Sequence, residues 1–204
     1  MQWWREQLGS EQPLLELPAD RPRPAVRLGQ GSRHAFNVPA SLAERLREQA
    51  LLHQVTPFML ILAVYQGLLY RLTGQHYLRI GVPVAGRTQG ESEGLIGLFV
   101  NTLVIRSEVD AQHSFVDLLR HVKARVVGDQ AHQDVPFEQL VDALQPERSL
   151  SHNALFQVAY NHQRQDQRAL QTLPGLQCES IDCKGQSAQF DLVLGTFEQA
   201  DGRL

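Results

Sequence analysis

Apolar residues along the chain fall into blocks of different period, and the period predicts the elements. From Ser41, the residues Leu42, Leu46 and Ala50 share one face, with Glu44, Arg45, Arg47 and Glu48 elsewhere. This predicts an amphipathic helix with Ser41 as its N-cap. Thr56-Pro57 sets a hydroxyl cap before a proline at the first helical position, and the helix it opens runs to about Leu72, ahead of Gly74. That helix is apolar nearly all round until Gln66, which places it centrally in a core. A third stripe, Phe115, Leu118, Leu119, Val122 and Val126, predicts a helix over Phe115 to Val127 capped by Ser114, and Pro136 to Leu144 fits a shorter one. Runs rich in β-branched residues predict strands over Tyr77–Val84, Leu98–Arg106, Leu155–Tyr160 and Phe190–Phe197.

Between these blocks the chain is broken by residues that oppose regular structure. Pro13 to Pro39 contains Pro18, Pro22, Pro24, Gly29 and Gly31 and reads as an extended connector. Ahead of it, Trp3–Leu8 reads as the tail of a helix that began upstream. Gly86 to Gly94 is a polar loop, and Gln163 to Gln189 is poorly patterned. Strands alternate with helices without internal repeat, so the expected class is α/β, an α+β sandwich in which helices pack on a mixed sheet.

Composition narrows the function classes. The 204 residues suffice for one large domain or two small ones. Nineteen Lys and Arg stand against 22 Asp and Glu, a net charge of −3, which argues against a nucleic-acid binder, since such a protein needs a basic face to displace counterions. Two cysteines, Cys178 and Cys183, do not make a disulfide framework, and a reducing, cytoplasmic setting is expected. The longest apolar run, Phe58 to Tyr65, is too short to span a bilayer, and the first eight residues lack the pattern of a secretory signal.

Generic catalytic motifs are missing: no G-x-S-x-G, no P-loop, no H-E-x-x-H and no cysteine pair at zinc spacing, so no metal site is expected. His113-x-x-x-Asp117 imitates an acyltransferase core, but Leu118 follows where such sites have glycine, and Ser114 makes a helix cap. The pair is a decoy. Three other stretches stand out: Ile96-Gly97-Leu98-Phe99-Val100-Asn101-Thr102, His132-Gln133-Asp134-Val135-Pro136-Phe137-Glu138 and Arg148-Ser149-Leu150-Ser151-His152-Asn153-Ala154-Leu155-Phe156. Local structure accounts for much of them: a bend at Gly97, Asp134 as a helix cap, a polar loop before a strand. It leaves unexplained an asparagine at Asn101 within an apolar strand.

These residues carry a resemblance to the condensation domain of nonribosomal peptide synthetases. The first stretch matches the family's I-G-x-F-V-N-T and the second its H-Q-D-[YV]-P-F-E. The third resembles R-D-x-S-R-N-P-L-F but has Ser149 for the acid, His152 for the arginine and Ala154 for the proline. Trp4–Leu8, Leu17–Pro24, Gly81–Arg87 and Gln189–Leu192 fit as well, so the resemblance runs nearly end to end.

The resemblance implies a subdomain with the fold of chloramphenicol acetyltransferase. Residues 1–39 would be the end of an upstream helix and the interdomain linker, and residues 40–204 the C-terminal subdomain, cut short at its C-terminus. The catalytic H-H-x-x-x-D-G would lie upstream of Met1, so no catalytic residue is assigned here and the fragment alone is expected to be inactive. Such a domain makes an amide between aminoacyl or peptidyl thioesters. Phosphopantetheine is not bound directly but arrives on donor and acceptor carrier proteins; the N-terminal subdomain and an adenylation domain are the other implied partners. Arg148 and Asn153 are assigned to the neighbourhood of the reacting centre. Gly97, Phe99, Asn101 and Thr102 are assigned to the tunnel lining, and Gln133, Asp134 and Phe137 to the fold beside it. An epimerization domain of the same fold and a non-catalytic docking module are the alternatives.

Overall fold

The computed structural model describes residues 1–147, 149–164, 176, 187–199 and 203–204. Arg148, Cys178, Cys183 and most of the poorly patterned Gln163–Gln189 stretch lie outside them. The helices are α1 (Gln2–Leu8), α2 (Ala40–Leu52), α3 (Pro57–Thr73), α4 (Phe115–Gln130) and α5 (Phe137–Leu144), and the strands β1 (Tyr77–Val84), β2 (Asn101–Glu108), β3 (Val158–Arg164) and β4 (Leu192–Glu198).

Helix ends written in local chemistry form as the sequence predicts. The Thr56 side chain accepts from the Met59 N–H, and Gly74 closes α3 in the left-handed region at φ 69. Ser114 and Asp117 make a reciprocal capping box on α4, and hydrogen bonds from Ser114 hold the Asp117 carboxyl below the usual carboxylate range. The His113-x-x-x-Asp117 string is thus a cap, with Arg120 Nη1 2.6 Å from Asp117.

Other boundaries move for identifiable reasons. Ser41 does not cap α2; Pro39 holds that position without a side-chain bond. Leu42 faces solvent and Ala43 is buried in its stead, while Leu46 and Ala50 face the core as the pattern predicts. Strand β2 starts at Asn101 rather than Leu98, because its partner β1 ends at Val84, opposite Asn101. Leu155 takes φ 65, a left-handed turn that stops its run from being strand, so β3 starts only at Val158. Phe190 precedes β4 instead of opening it. Asp134 does not cap α5, whose N-cap position is Pro136.

The sheet is mixed, in order β2-β1-β3-β4: β1 and β2 are antiparallel, and β1–β3 and β3–β4 parallel. Alternation along β1 separates two faces. Leu78, Ile80 and Val82 point to one side, where Tyr160 of β3 stacks on Phe58 of α3 at 5.1 Å. Arg79 and Gly81 point to the other, where Arg79 Nη2 donates to the Leu8 carbonyl at 2.6 Å and also to that of Glu11. Arg106, paired with Arg79, donates to the Gln7 carbonyl, so two arginines hold the C-terminal end of α1, where the helix dipole favours cations. Proline-rich residues 13–39 contain no helix or strand beyond one bridge at Gln30, as their prolines and glycines predict.

Helix α1 also reaches the end of α4. Trp4 is 1% exposed and donates to the His132 carbonyl at 3.1 Å, while Trp3 stacks on the His132 ring at 4.4 Å and donates to Asp129 Oδ1 at 3.3 Å. Asp129 is fully buried, and burial pushes its carboxyl up to about 6 against the opposing pull of Arg125 and the Trp3 bond. The folded state therefore holds this proton more tightly than the unfolded chain, and stability falls as pH rises from about 4 to about 6. Asp129→Asn keeps the acceptor for Trp3 and removes the charge. It is expected to gain about 1–2 kcal/mol at pH 7 and to flatten that pH dependence. Thermal unfolding across pH 4–8 checks this; an asparagine variant less stable than the parent at pH 7 overturns it.

Candidate functional site

Three distant segments meet because specific side chains bind them to one another. Asn101 is the first link. It sits where β2 begins, on the edge of the sheet, beside the loop that carries the chain from α4 to α5. Its Nδ2 donates to the Gln133 carbonyl at 2.8 Å and the Val135 carbonyl at 2.9 Å, and its Oδ1 accepts from the Phe137 N–H at 3.1 Å. The side chain does what Asp134 was expected to do: it satisfies a free N–H at the start of α5. Asn101 therefore joins the first motif to the second, and the polar residue in an apolar strand has a physical reason.

Phe137 forms the second link. Its ring meets Phe156 edge-on at 5.7 Å, and Phe156 stacks on Phe190 at 5.1 Å. Phe156 lies against Gly81, where an added Cβ would stand 2.1 Å from the ring. Thus β1, the second motif, the third motif and the approach to β4 share one aromatic cluster.

Asn153 is the third link, and here the connector enters. Arg27 Nη1 donates to Asn153 Oδ1 at 3.0 Å, and Asn153 Nδ2 donates to the Gln189 carbonyl at 2.6 Å. Gln157 Nε2 donates to the Asn153 carbonyl at 3.1 Å while its Oε1 accepts from the Leu15 N–H at 2.9 Å. Arg23 pairs with Asp191 through both guanidinium nitrogens. Arg148, the other residue assigned to the reacting centre, lies outside the described residues.

The rest of the first motif belongs to a loop that closes on itself. Gly86 has φ 64, and a Cβ there would stand 1.8 Å from the Phe99 carbonyl oxygen, so glycine is required. The Arg87 guanidinium lies 4.1 Å over the Phe99 ring and donates to the carbonyls of Ser92 and Leu95. Held this way, the loop presents Leu95, Ile96, Leu98 and Val100 outward, with Ile96 and Leu98 almost fully exposed. Gly97 is exposed with them, and Thr102 is half-buried opposite Pro83. Asp134 is exposed and accepts from the Thr88 hydroxyl at 3.4 Å, tying the loop to the second motif.

Sequence reasoning placed these stretches together but missed what joins them: Arg23 and Arg27 of the connector, and Gly81 under the Phe156 ring. The signals were present as Arg23-Pro24 within Leu17–Pro24 and as a glycine inside an otherwise apolar strand. Among the described residues no group of three or more His, Cys, Asp or Glu is placed to hold a metal ion, and no single helix is long and apolar enough to cross a membrane.

In sequence and in fold the chain is similar to known proteins. The phosphinothricin tripeptide synthetase PhsB of Streptomyces viridochromogenes is 44% identical over 205 residues, covering 99% of this chain and 17% of that protein. The solved structure of a four-domain nonribosomal peptide synthetase, bound to AMP and glycine, superposes with a TM-score of 0.90 at 28% identity, over 99% of this chain and 16% of that one. The X-domain from teicoplanin biosynthesis, solved in complex with OxyB, gives 0.86 at 26% identity, over 97% of this chain and 43% of that one. The chain thus spans only a small part of the synthetases it matches. The family model described as Condensation domain matches residues 1–204. With its three motifs joined in one site, the chain belongs to the condensation domain family of nonribosomal peptide synthetases.

Proposed function

We propose that residues 1–39 are the connector and residues 40–204 the C-terminal subdomain of a condensation domain that joins two carrier-bound thioesters through an amide. The observation that supports this reading is the linkage of all three motifs through Asn101, the Phe137–Phe156–Phe190 cluster and Asn153. In the reaction the acceptor's amine attacks the donor's thioester carbonyl, the C–N bond forms and the C–S bond breaks. The nitrogen's proton ends on the departing phosphopantetheine thiolate. A thioester is already activated, so the protein's task is alignment and stabilisation of developing charge.

This chain's share is one wall of the crevice in which that alignment happens. Asn153 stands by the reacting centre, a role the motif resemblance extends to Arg148, while Phe99, Gly97 and Thr102 with their loop line the substrate path. Asn101, Gln133, Asp134 and Phe137 keep that wall in shape. The outward Leu95, Ile96 and Leu98 supply an apolar surface for the subdomain that carries His-His-x-x-x-Asp-Gly. Phosphopantetheine belongs to the donor and acceptor carriers, and an adenylation domain in the same cytoplasmic synthetase loads the amino acid.

Incubated alone with carrier-loaded donor and acceptor, the chain is expected to form no amide, and adding the upstream half with its His-His motif restores product by mass spectrometry. Amide formation by the chain alone overturns the assignment. The likeness to an X-domain solved with OxyB favours, as a second reading, a module that binds a partner protein. A complete domain that captures such a partner yet never turns over decides for it.

A further inference from the structure

Asn153, proposed above to stand by the reacting centre, carries an amide, and an amide can turn over with little change in shape but with donor and acceptor exchanged. Two partners fix it here: Arg27 of the connector on the oxygen and the Gln189 carbonyl on the amino group. Arg27 Nη1 donates to Asn153 Oδ1 at 3.0 Å, and the same nitrogen donates to the Gln189 carbonyl, which also accepts Asn153 Nδ2 at 2.6 Å. Cation and carbonyl together select one orientation, oxygen toward Arg27 and amino group toward Gln189, and the Arg27 nitrogen, bonded to both, locks the pair in place. The second lone pair and the second N–H of Asn153 are then left at defined angles.

The connector is itself anchored on both sides of this point. The Arg27 N–H donates to the Leu150 carbonyl at 2.9 Å, and the Ala188 N–H donates to the Gly29 carbonyl at 2.7 Å. Gln30 bridges to Ser187, and a Cβ at Gly31 would stand 2.6 Å from that of Ala188, so connector and pre-β4 segment are in close contact. Four residues before Arg27, Arg23 grips Asp191 and the Ser151 carbonyl.

We propose that Arg27 is a positioning residue of the condensation reaction, acting through Asn153 by setting the orientation of its amide. This rests on the placement of Asn153 at the reacting centre proposed above. The connector thereby does more than tether two halves: its path over residues 150–153 sets the geometry of the wall.

The test uses the complete condensation domain that contains this chain, assayed with carrier-loaded donor and acceptor. Arg27→Ala is expected to lose about tenfold in kcat with little change in KM, since an alignment present in the transition state is lost. Arg27→Lys is expected to recover most of that loss, because both side-chain bonds come from one nitrogen and an ammonium can make them. The double variant Arg27→Ala/Asn153→Ala is expected to be no slower than Asn153→Ala alone. Losses that multiply, or an Arg27→Ala domain with the parent's kcat, overturn the proposal while leaving Asn153 in place. Unchanged turnover in Asn153→Ala overturns the placement of Asn153 and the proposal with it. If Arg27→Ala lowers the yield of folded domain, Arg27→Gln against Arg27→Lys provides the same comparison: equal kcat in the two, at the parent's value, overturns the proposal.

Discussion

Replacing Gly81 by alanine is expected to cost about 3 kcal/mol, the upper end of what overpacking a close-packed interior costs. Gly81 lies in mid-strand, paired with Val104 on one side and Ala159 on the other, so the backbone cannot yield without straining two ladders. A methyl group there would stand 2.1, 2.4 and 2.7 Å from three carbons of the Phe156 ring. The ring is no freer. Phe156 is 3% exposed, with Phe137 against one side and Phe190 stacked at 5.1 Å. Relief must come from moving the ring, and with it the turn at Leu155 and the loop that holds Asn153. For a chain of this length the cost corresponds to about 6–12 °C in the unfolding temperature. A second change isolates the cause: Gly81→Ala combined with Phe156→Leu should be less destabilised than the sum of the two single variants. Thermal unfolding of the three proteins measures it. A Gly81→Ala variant within ~0.5 kcal/mol of the parent would show that the ring has room to move, and the wedge argument fails.

The same wedge explains why some of the fold was legible in the sequence and some was not. Strand β1 is legible to the residue, Tyr77–Val84, because its alternation and flanking breakers are local. Helix α3 is legible at both ends for the same reason: Thr56, Pro57 and Gly74 act within one turn of themselves. Leu155–Phe156 is not legible, because the left-handed turn at Leu155 belongs to a segment whose next residue, Phe156, reaches a glycine 75 positions earlier, and no window along the chain contains both. In α2 the face read from the sequence holds at Leu46 and Ala50 and fails only at Leu42, which faces solvent while its neighbour Ala43 is buried; one residue of rotation at the helix start is not written in the apolar pattern. The motifs could be recognised as strings, yet the bonds that unite them run from Asn101 to residues 32–36 positions away and from Arg27 to Asn153 across 126. Spacing of that order carries no periodic signal, so the site's members were legible while its wiring was not.

Asn101 provides the sharpest test of that wiring, because its amide is used in both senses at once. Asn101→Asp preserves shape and the acceptor for the Phe137 N–H, but turns a carboxylate oxygen toward the carbonyls of Gln133 and Val135, where the amide had donated at 2.8 and 2.9 Å. Two bonds become two repulsions. Asn101→Leu loses all three bonds but adds no charge, leaving two carbonyls and one N–H to find water. Both are expected to destabilise by about 2–3 kcal/mol at pH 7, with aspartate no better than leucine despite being closer in shape. The two variants then part as pH falls. Facing carbonyls, the new carboxyl holds its proton more tightly when folded than when unfolded; protonation turns it into a donor, so the deficit of the aspartate variant should shrink toward pH 4. The leucine variant has no such group and keeps its deficit relative to the parent, whose own Asp129 shifts both curves alike. Denaturant unfolding of the three proteins at pH 7 and pH 4.5 reads this directly. An aspartate variant as stable as the parent at pH 7 means that Asn101 does not donate to that loop, and the junction between the first two motifs must then be held by the Phe137 N–H bond alone.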